Sequence, residues 1–307
     1  MVFAAVSCND EPVHEHSFSD GVCTSCGMKE SEVMNAEVKI GGEYFKTLTE
    51  AIQYLEKKED KTAEIEVLAD SVKLEDFATI VGWKEGSFLS DYNITFIGYG
   101  KDKSLIDIAT DYSMEEGEGV HDNSQGNHQN HIRGANFAFK NITVKIGDNS
   151  HYQGFFEAGS LGFDNCKIEG MGTHWGTGEV VFKNCEFTDN EDYCLWIYTG
   201  KSYVFENCEF TSSVGKFLHP YIEGNDGSKL NVSIIIMNCS FTNTGAESTG
   251  KPVLNIKKNA ICDVSFTGNI QLNNVAKGST DSKYFQVEED NGSTVKINGN
   301  KVYPVSN

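Results

Sequence analysis

Arginine is almost absent from this sequence, because only Arg133 among its 25 basic residues is an arginine. Acidic residues number 45, which gives a formal net charge of −20 at pH 7. Proteins that bind nucleic acid neutralise its phosphates with Lys and Arg, so this charge balance argues against nucleic acid as a partner. It also disfavours polyanionic sugars unless a cation such as Ca²⁺ bridges the two surfaces. Neutral glycans, proteins and cations remain as partners.

Proline and long apolar stretches are also scarce. The chain has 4 prolines and no run of 18 apolar residues, so no transmembrane segment is predicted. Its 307 residues are 39% apolar, enough for one large domain or two modest ones. Nine cysteines would suggest disulfides in a secreted protein. Their placement argues otherwise, because four of them recur in one repeated phrase.

That phrase is apolar–x–Asn–Cys–x–apolar, and it occurs as "GFDNCKI", "VFKNCEF", "VFENCEF" and "IIMNCSF". Its asparagines, together with an earlier one, lie 19 to 31 residues apart. A variable period of this size indicates a solenoid whose coils carry insertions. The asparagines are Asn141, Asn165, Asn184, Asn207 and Asn238.

The flanking residues alternate with the period of a β-strand, so each phrase predicts strand, bend, strand. Asparagine tolerates the left-handed backbone of a sharp bend, and its amide can bond to the asparagine of the next coil. The residue after it is predicted to enter the core. Stacked neighbours lie about 4.8 Å apart, beyond the roughly 3.8 Å between the Cβ atoms of a disulfide, so we expect reduced thiols. The core positions are Ile142, Cys166, Cys185, Cys208 and Cys239.

With these repeats, residues 62–303 resemble the right-handed parallel β-helix proteins of pectate-lyase-like fold. The resemblance implies an all-β fold, a right-handed parallel β-helix solenoid with an N-terminal capping helix, which we assign to residues 37–307. Thr47 or Thr49 is predicted to cap a helix through "EAIQYLEKK". The apolar residues of that helix would cover the open first coil. They are Ala51, Ile52 and Leu55.

Residues 1–36 are interpreted as a tether. The opening "MVFAAVSCNDEP" is similar to the tail of a bacterial lipoprotein signal, with Cys8 at the lipidated position. A free thiol and a metal ligand are the alternatives for Cys8.

The stretch "HEHSFSDGVCTSCG" follows, with His14 and His16 ahead of a C-x-x-C formed by Cys23 and Cys26. Two thiolates and two imidazoles are typical ligands of a tetrahedral structural Zn²⁺. The stretch also resembles the small zinc-ribbon-like segments of bacterial surface proteins. An oxidisable tether is the alternative.

Chemistry is expected on the outer face of the strands that follow each corner. Aligning "GFFEAG", "THWGTG", "LWIYTG" and "LHPYIEG" leaves Leu195 and Ile197 inside and a column of mostly aromatic side chains outside. Sugar rings stack on such aromatic rings. The alternative is an aromatic ladder that only stiffens the sheet. In the second segment, either His174 or Trp175 faces outward. The predicted column is Glu157, His174, Trp196, Tyr198, His219 and Tyr221.

Three classes of function remain, of which the third is a structural spacer with no small ligand. The first is a bacterial cell-surface or secreted protein that binds glycans or partner surfaces through this aromatic column. The second, implied by the fold resemblance, is a polysaccharide lyase with a Lys or Arg base beside bound Ca²⁺, or a glycoside hydrolase with paired carboxylates. Its candidate residues are Glu157, Asp189, Asp192 and Glu223, with Lys201 and Lys216 as bases. A histidine-rich stretch at 115–134 is a divalent metal site, a catalytic loop or a polar loop.

Overall fold

The structure is a computed structural model that describes residues 16–73, 92–107, 135–146, 159–170, 175–188, 192–222, 228–279 and 281–304. Strands dominate these residues and form long parallel sheets, as the all-β prediction requires. Strands far apart in sequence pair coil upon coil, an arrangement compatible with a solenoid of the β-helix type. Within these ranges, every helix is too short or too polar to cross a membrane.

The N-terminal part begins with a small hairpin and two helices. Helix α2 is amphipathic, and the Thr47 side chain accepts a hydrogen bond from Glu50 N at 3.2 Å, so Thr47 is the N-cap. Ala51 and Ile52 of α2 are fully buried, which confirms the predicted covering helix. The elements are β1 (Phe18–Ser19), β2 (Val22–Cys23), α1 (Glu30–Met34), β3 (Val38–Ile40), β4 (Glu43–Phe45) and α2 (Leu48–Glu56).

The largest sheet has 12 strands and is parallel except at its two ends. At one end β3 and β4 add antiparallel strands, and at the other the last two strands form an antiparallel pair. Its further strands are β5 (Thr62–Val67), β7 (Asn93–Ile97), β9 (Asn136–Lys140), β11 (Leu161–Asp164), β13 (Glu179–Lys183), β16 (Ser202–Glu206), β19 (Leu230–Met237), β22 (Ala260–Thr267), β25 (Thr294–Ile297) and β26 (Asn300–Tyr303).

A second parallel sheet has 8 strands, each following a strand of the large sheet around a corner. A third has 4 strands, and a short 3-10 helix at Glu247–Thr249 precedes one of them. The second sheet contains β6 (Ser71–Lys73), β8 (Leu105–Asp107), β10 (Thr143–Lys145), β12 (Lys167–Glu169), β14 (Glu186–Thr188), β17 (Glu209–Ser212), β20 (Ser240–Asn243) and β23 (Gln271–Asn273). The third contains β15 (Leu195–Ile197), β18 (Leu218–Pro220), β21 (Leu254–Ile256) and β24 (Phe285–Val287).

The repeated asparagines occupy the corners between the first two sheets. All five have left-handed backbone, with φ between 52° and 54°, as predicted. Their amides form part of the expected ladder, since Asn165 Nδ2 donates to Asn141 Oδ1 at 2.9 Å. At the next step Asn184 Nδ2 donates instead to Asp164 Oδ1, at 3.0 Å. A carboxylate is the stronger acceptor, which explains the change of partner.

The residues after the asparagines form the predicted internal column. The four phrase cysteines are at most 1% exposed, and all of them are free thiols. Their Sγ atoms donate to backbone carbonyls, as Cys185 does to Lys183 O at 3.1 Å. Beside them Phe139, Phe163 and Phe182 stack with centroid separations of 5.1 and 4.7 Å. Sulfur and aromatic rings together therefore fill the core between the sheets.

Candidate functional site

The outer face of the third sheet carries most of the aromatic residues singled out in the sequence. Leu195 and Ile197 of β15 are fully buried, so Trp196 between them points outward. Trp196 pairs in register with His219 on β18. Tyr198 and Tyr221 follow two residues further along each chain segment, with ring centroids 5.8 Å apart. The predicted alternation is present in β15, whereas all three residues of β18 are buried.

These rings pack against one another as one cluster. The imidazole of His219 lies nearly parallel to the Tyr193 ring at 4.1 Å and to the Tyr221 ring at 5.6 Å. The Trp196 indole meets the imidazole edge to face at 4.6 Å. Such geometries are the favourable ones for aromatic pairs. We call this cluster the ring face; it comprises Tyr193, Trp196, Tyr198, His219 and Tyr221.

His219 is at an outward position but is only 3% exposed, so it is not the surface side chain that the sequence predicts. The rings of Tyr193 and Tyr221 both lie nearly parallel to the imidazole and help to cover it. Burial lowers the pKa of His219 to about 4, because the charged imidazolium loses its hydration. Its Nδ1 lies 2.9 Å from Asn255 O. A carbonyl can only accept, so Nδ1 carries the proton of the neutral ring and Nε2 keeps its lone pair.

The next two strands extend the face with polar groups. Asn255 of β21 is 4% exposed, and its Nδ2 donates to the Tyr193 hydroxyl at 2.5 Å. Its Oδ1 is buried without a hydrogen-bond partner among the described residues. Gln286 pairs with Asn255 in register, and Lys257 Nζ forms an ion pair with Glu288 Oε1 at 3.0 Å. The face therefore runs from aromatic rings to amides and paired charges.

Three residues of the predicted column, Trp196, Tyr198 and Tyr221, are partly exposed in the ring face. Glu157 and His174 lie outside the described residues. Trp175 is fully buried, so it is not the outward residue of its segment.

The sequence interpretation missed Tyr193 and Asn255. Asn255 was detectable, because "LNIK" aligns with "LWIY" and "LHPY". Tyr193 precedes β15, where the alternation of the strand has not begun.

The candidates for a hydrolytic or lyase mechanism are only partly described. Lys216 Nζ forms an ion pair with Asp192 Oδ1 at 2.8 Å and lies 5.4 Å from the centroid of the Tyr193 ring. The proposed base and the proposed carboxylate are thus each other's partners beside the ring face. Glu157, Asp189 and Glu223 lie outside the described residues, as does the histidine-rich stretch at 115–134.

A second cluster, in the N-terminal hairpin, has the chemistry of a metal site. The Nδ1 atom of His16 lies 3.3 Å from Cys23 Sγ and 3.7 Å from Cys26 Sγ. All three ligand atoms lie within 4.8 Å of one another, a spacing that could hold a metal ion. The turn is closed by Gly27 N, which donates to Cys23 O at 2.9 Å. His14, the fourth predicted ligand, lies outside the described residues.

This hairpin packs directly on the first coils. A Cβ atom at Gly21 would come within 2.6 Å of the Tyr99 ring, so the chain there requires glycine. The carboxylate of Glu30 is buried and accepts hydrogen bonds from the hydroxyls of Tyr44 at 2.8 Å and Tyr99 at 3.0 Å. Burial raises the pKa of Tyr44 to about 12, and Glu30 adds to the rise. Residues 16–36 are therefore docked on the coils rather than extended away from them.

Comparisons of the chain with protein-family models, with curated proteins and with solved structures return no match.

Proposed function

We propose that this protein is a bacterial surface or secreted binding protein whose ring face holds neutral glycans or a partner surface. The observation that carries the proposal is the cluster of Trp196, Tyr198 and Tyr221, three partly exposed rings on one sheet face. Sugar rings present C–H faces that stack on indole and phenol rings, and the hydroxyl of Tyr adds a hydrogen-bonding group. The neighbouring Gln286 and the Lys257–Glu288 pair would supply polar contacts.

The net charge of −20 favours a neutral ligand over an acidic polymer. The packing of the rings supports the proposal in a second way. Because Tyr221 touches both the Trp196 indole at 5.6 Å and the His219 imidazole, the rings are held in place before a ligand arrives. A preorganised surface loses less entropy on binding, so more of the contact energy appears as affinity.

For the fold, we propose a right-handed parallel β-helix of the pectate-lyase-like type, which the stacked coils support. An extracellular or cell-surface location, with a lipid anchor at Cys8, would place the ring face where glycans and surface proteins are found.

For the metal, we propose a structural Zn²⁺ held by His16, Cys23, Cys26 and His14. Two thiolates with imidazole nitrogen are the ligands that zinc favours. In the same proposal, Ca²⁺ has a role only if the protein is a lyase, where it would bridge an acidic substrate.

The deciding experiment is retention on insoluble neutral polysaccharides and on a glycan array. The double variant Trp196→Ala/Tyr221→Ala should weaken retention at least about tenfold, since each aromatic contact contributes about 0.5–1.5 kcal/mol beyond its area. Tyr303→Ala, in the terminal strand β26, is the matched control and should bind like wild type. Retention that survives the double variant would exclude the ring face as the binding surface.

The same incubation separates binding from catalysis. New reducing ends or unsaturated, ultraviolet-absorbing products would show a hydrolase or a lyase. Retention without products is the expected result for a binding protein.

A further inference from the structure

The outer face of the 12-stranded sheet carries a strip of six outward positions without charged side chains, and Ser265 continues it on the next coil. Its members pair in register from each coil to the next, and all point outward between buried neighbours. All are partly exposed, and Ile235 is 39% exposed. In a chain of net charge −20, such a strip is a marked local departure. We call it the central column; it comprises Thr95, Ala138, Gly162, Val181, Val204 and Ile235.

The central column changes size halfway along. Small side chains occupy its first half, where a depression of about 270 Å³ lies over Thr95, Ala138 and Gly162. Val181, Val204 and the exposed Ile235 supply larger side chains along its second half, which we call the ridge, and Val181 also borders the depression. The depression and the ridge each span three coils of the same face. If a second copy of the face is rotated so that its coil order is reversed, the ridge of each copy lies opposite the depression of the other.

Packing among the described residues does not require glycine at position 162. Within that part of the chain, a Cβ atom there would meet only Ala138 Cβ, at 3.9 Å, which is an ordinary contact. Glycine within a strand costs stability relative to alanine, roughly 0.5–1 kcal/mol. In strands it often marks a place where another molecule or chain segment approaches closely. The position therefore indicates a neighbour that the described residues of the chain do not supply.

A flanking row of outward side chains shows the same symmetry in its charges. In the order of the coils, its side chains are apolar, positive, negative, positive, negative and apolar. When this row faces a copy of itself in reversed order, each positive side chain meets a negative one and the two apolar ends meet each other. Within one chain the alternation keeps like charges from stacking, and Lys183 Nζ lies 3.4 Å from Glu206 Oε2. That internal role does not account for the two apolar ends. The flanking row is Ile97, Lys140, Asp164, Lys183, Glu206 and Met237.

From these relationships we infer that the face binds a second copy of this chain about a two-fold axis. The axis runs parallel to the strands, between the coils of Gly162 and Val181, so it reverses the coil order and sets each column against itself. In the central column Gly162 then faces Val181, and Ala138 faces Val204.

The same axis pairs the flanking row, with Asp164 facing Lys183 and Lys140 facing Glu206. Ile97 meets Met237 at each end of the contact. The ridge of each copy fits into the depression of the other. Within these two rows, no charged side chain faces another of the same sign.

The size of the contact sets its strength. Six coils spaced about 4.8 Å apart, and about 17 Å of strand across them, give about 500 Å² on each copy. A total of about 1,000 Å² is at the small end of specific interfaces, so the dimer dissociates at micromolar concentration.

Sedimentation velocity of the full chain between about 1 and 100 µM tests this inference, because that range spans a micromolar equilibrium. The wild type should shift from the 33.9 kDa monomer to a dimer as concentration rises. Val204→Arg places a charge in both halves of the contact and should remain monomeric. Thr211→Arg, at an exposed position of β17 in the same coil, is the control and should dimerise like wild type.

Gly162→Ala provides a milder variant that the fold accepts. Its methyl group fills the depression, so dimerisation should weaken several-fold while the circular dichroism spectrum and thermal midpoint stay at the wild-type values or rise. A wild type that remains monomeric at about 100 µM overturns the inference, as does a dimer that persists in Val204→Arg.

Discussion

The imidazole of His219 lies parallel to the phenol ring of Tyr193, with 4.1 Å between their centroids. Tyr221 also stacks on the imidazole, so an outward side chain of the third sheet is covered by its own neighbours. Burial keeps His219 neutral, and the ring contacts hold the surrounding aromatic side chains in one arrangement.

Burial of His219 predicts a pH-dependent stability. Its pKa is lowered to about 4, whereas in the unfolded chain it has the ordinary value of about 6.5. As the pH falls, His219 is protonated in the unfolded state before it is protonated in the folded state. Its contribution to the free energy of unfolding is therefore fully present above about pH 6.5 and decreases as the pH drops toward 4. The loss should reach about 3 kcal/mol at most.

The measurement is chemical denaturation at pH 7 and pH 4, for wild type and for His219→Gln. Carboxylates titrate in both proteins, so the difference between the two profiles isolates the histidine. Identical pH profiles would show that the imidazole is not buried in solution.

The asparagine corners predict an order of stabilities at position 184. Asn184→Ala should lower the free energy of unfolding by about 2–3 kcal/mol. Alanine in a left-handed backbone conformation costs about 1–2 kcal/mol, and the substitution also removes the hydrogen bonds of the side-chain amide. Asn184→Gly removes the same bonds but adopts the φ of 53° without that cost. Urea denaturation should therefore rank wild type above Asn184→Gly and Asn184→Gly above Asn184→Ala. An alanine variant as stable as the glycine variant would contradict the left-handed corner.

The metal cluster predicts that the thermal stability of the chain depends on zinc. Purified protein should contain a single Zn²⁺, since one cysteine–histidine cluster binds one ion. A strong chelator should lower the midpoint of unfolding, because an ion that binds only the folded state stabilises it. Cys23→Ser should lose both the metal and the response to chelator. Ser25→Ala, between the two thiols, is the control and should keep both, as judged by elemental analysis and calorimetry.

The stacked thiols predict low reactivity in the native state. Burial raises the pKa of the Cys208 and Cys262 thiols, so little thiolate forms at pH 8. In metal-free protein, a brief pulse of alkylating reagent should modify Cys26, which is partly exposed. The core cysteines are buried, so the reagent should reach them only after unfolding, and peptide mass spectrometry reports each site separately. Rapid native labelling of Cys208 would mean that water reaches the interior.

The corners and the core column were predictable because they depend on local rules. An asparagine followed by an inward residue specifies a bend wherever it occurs, and repetition of that phrase fixes how the coils stack. The helix cap was predictable as Thr47 or Thr49 for the same reason, and the hydrogen bond from Glu50 N identifies Thr47.

The burial of His219 could not be predicted in this way. Alternation states which side of a strand a residue occupies, but not what covers it there. Its cover includes Tyr193, which precedes a strand, and its hydrogen-bond acceptor is Asn255, 36 residues further along. Both relationships depend on how separate coils align in space.

The sheet hydrogen bonds of the parallel strands all connect one coil with the next. A load applied along the stacking direction is therefore carried by these junctions in series, so mechanical strength is that of the weakest junction. A sideways load is shared by many bonds in shear. Single-molecule stretching along the stack should accordingly show stepwise rupture at modest force, whereas pulling across it should meet far greater resistance.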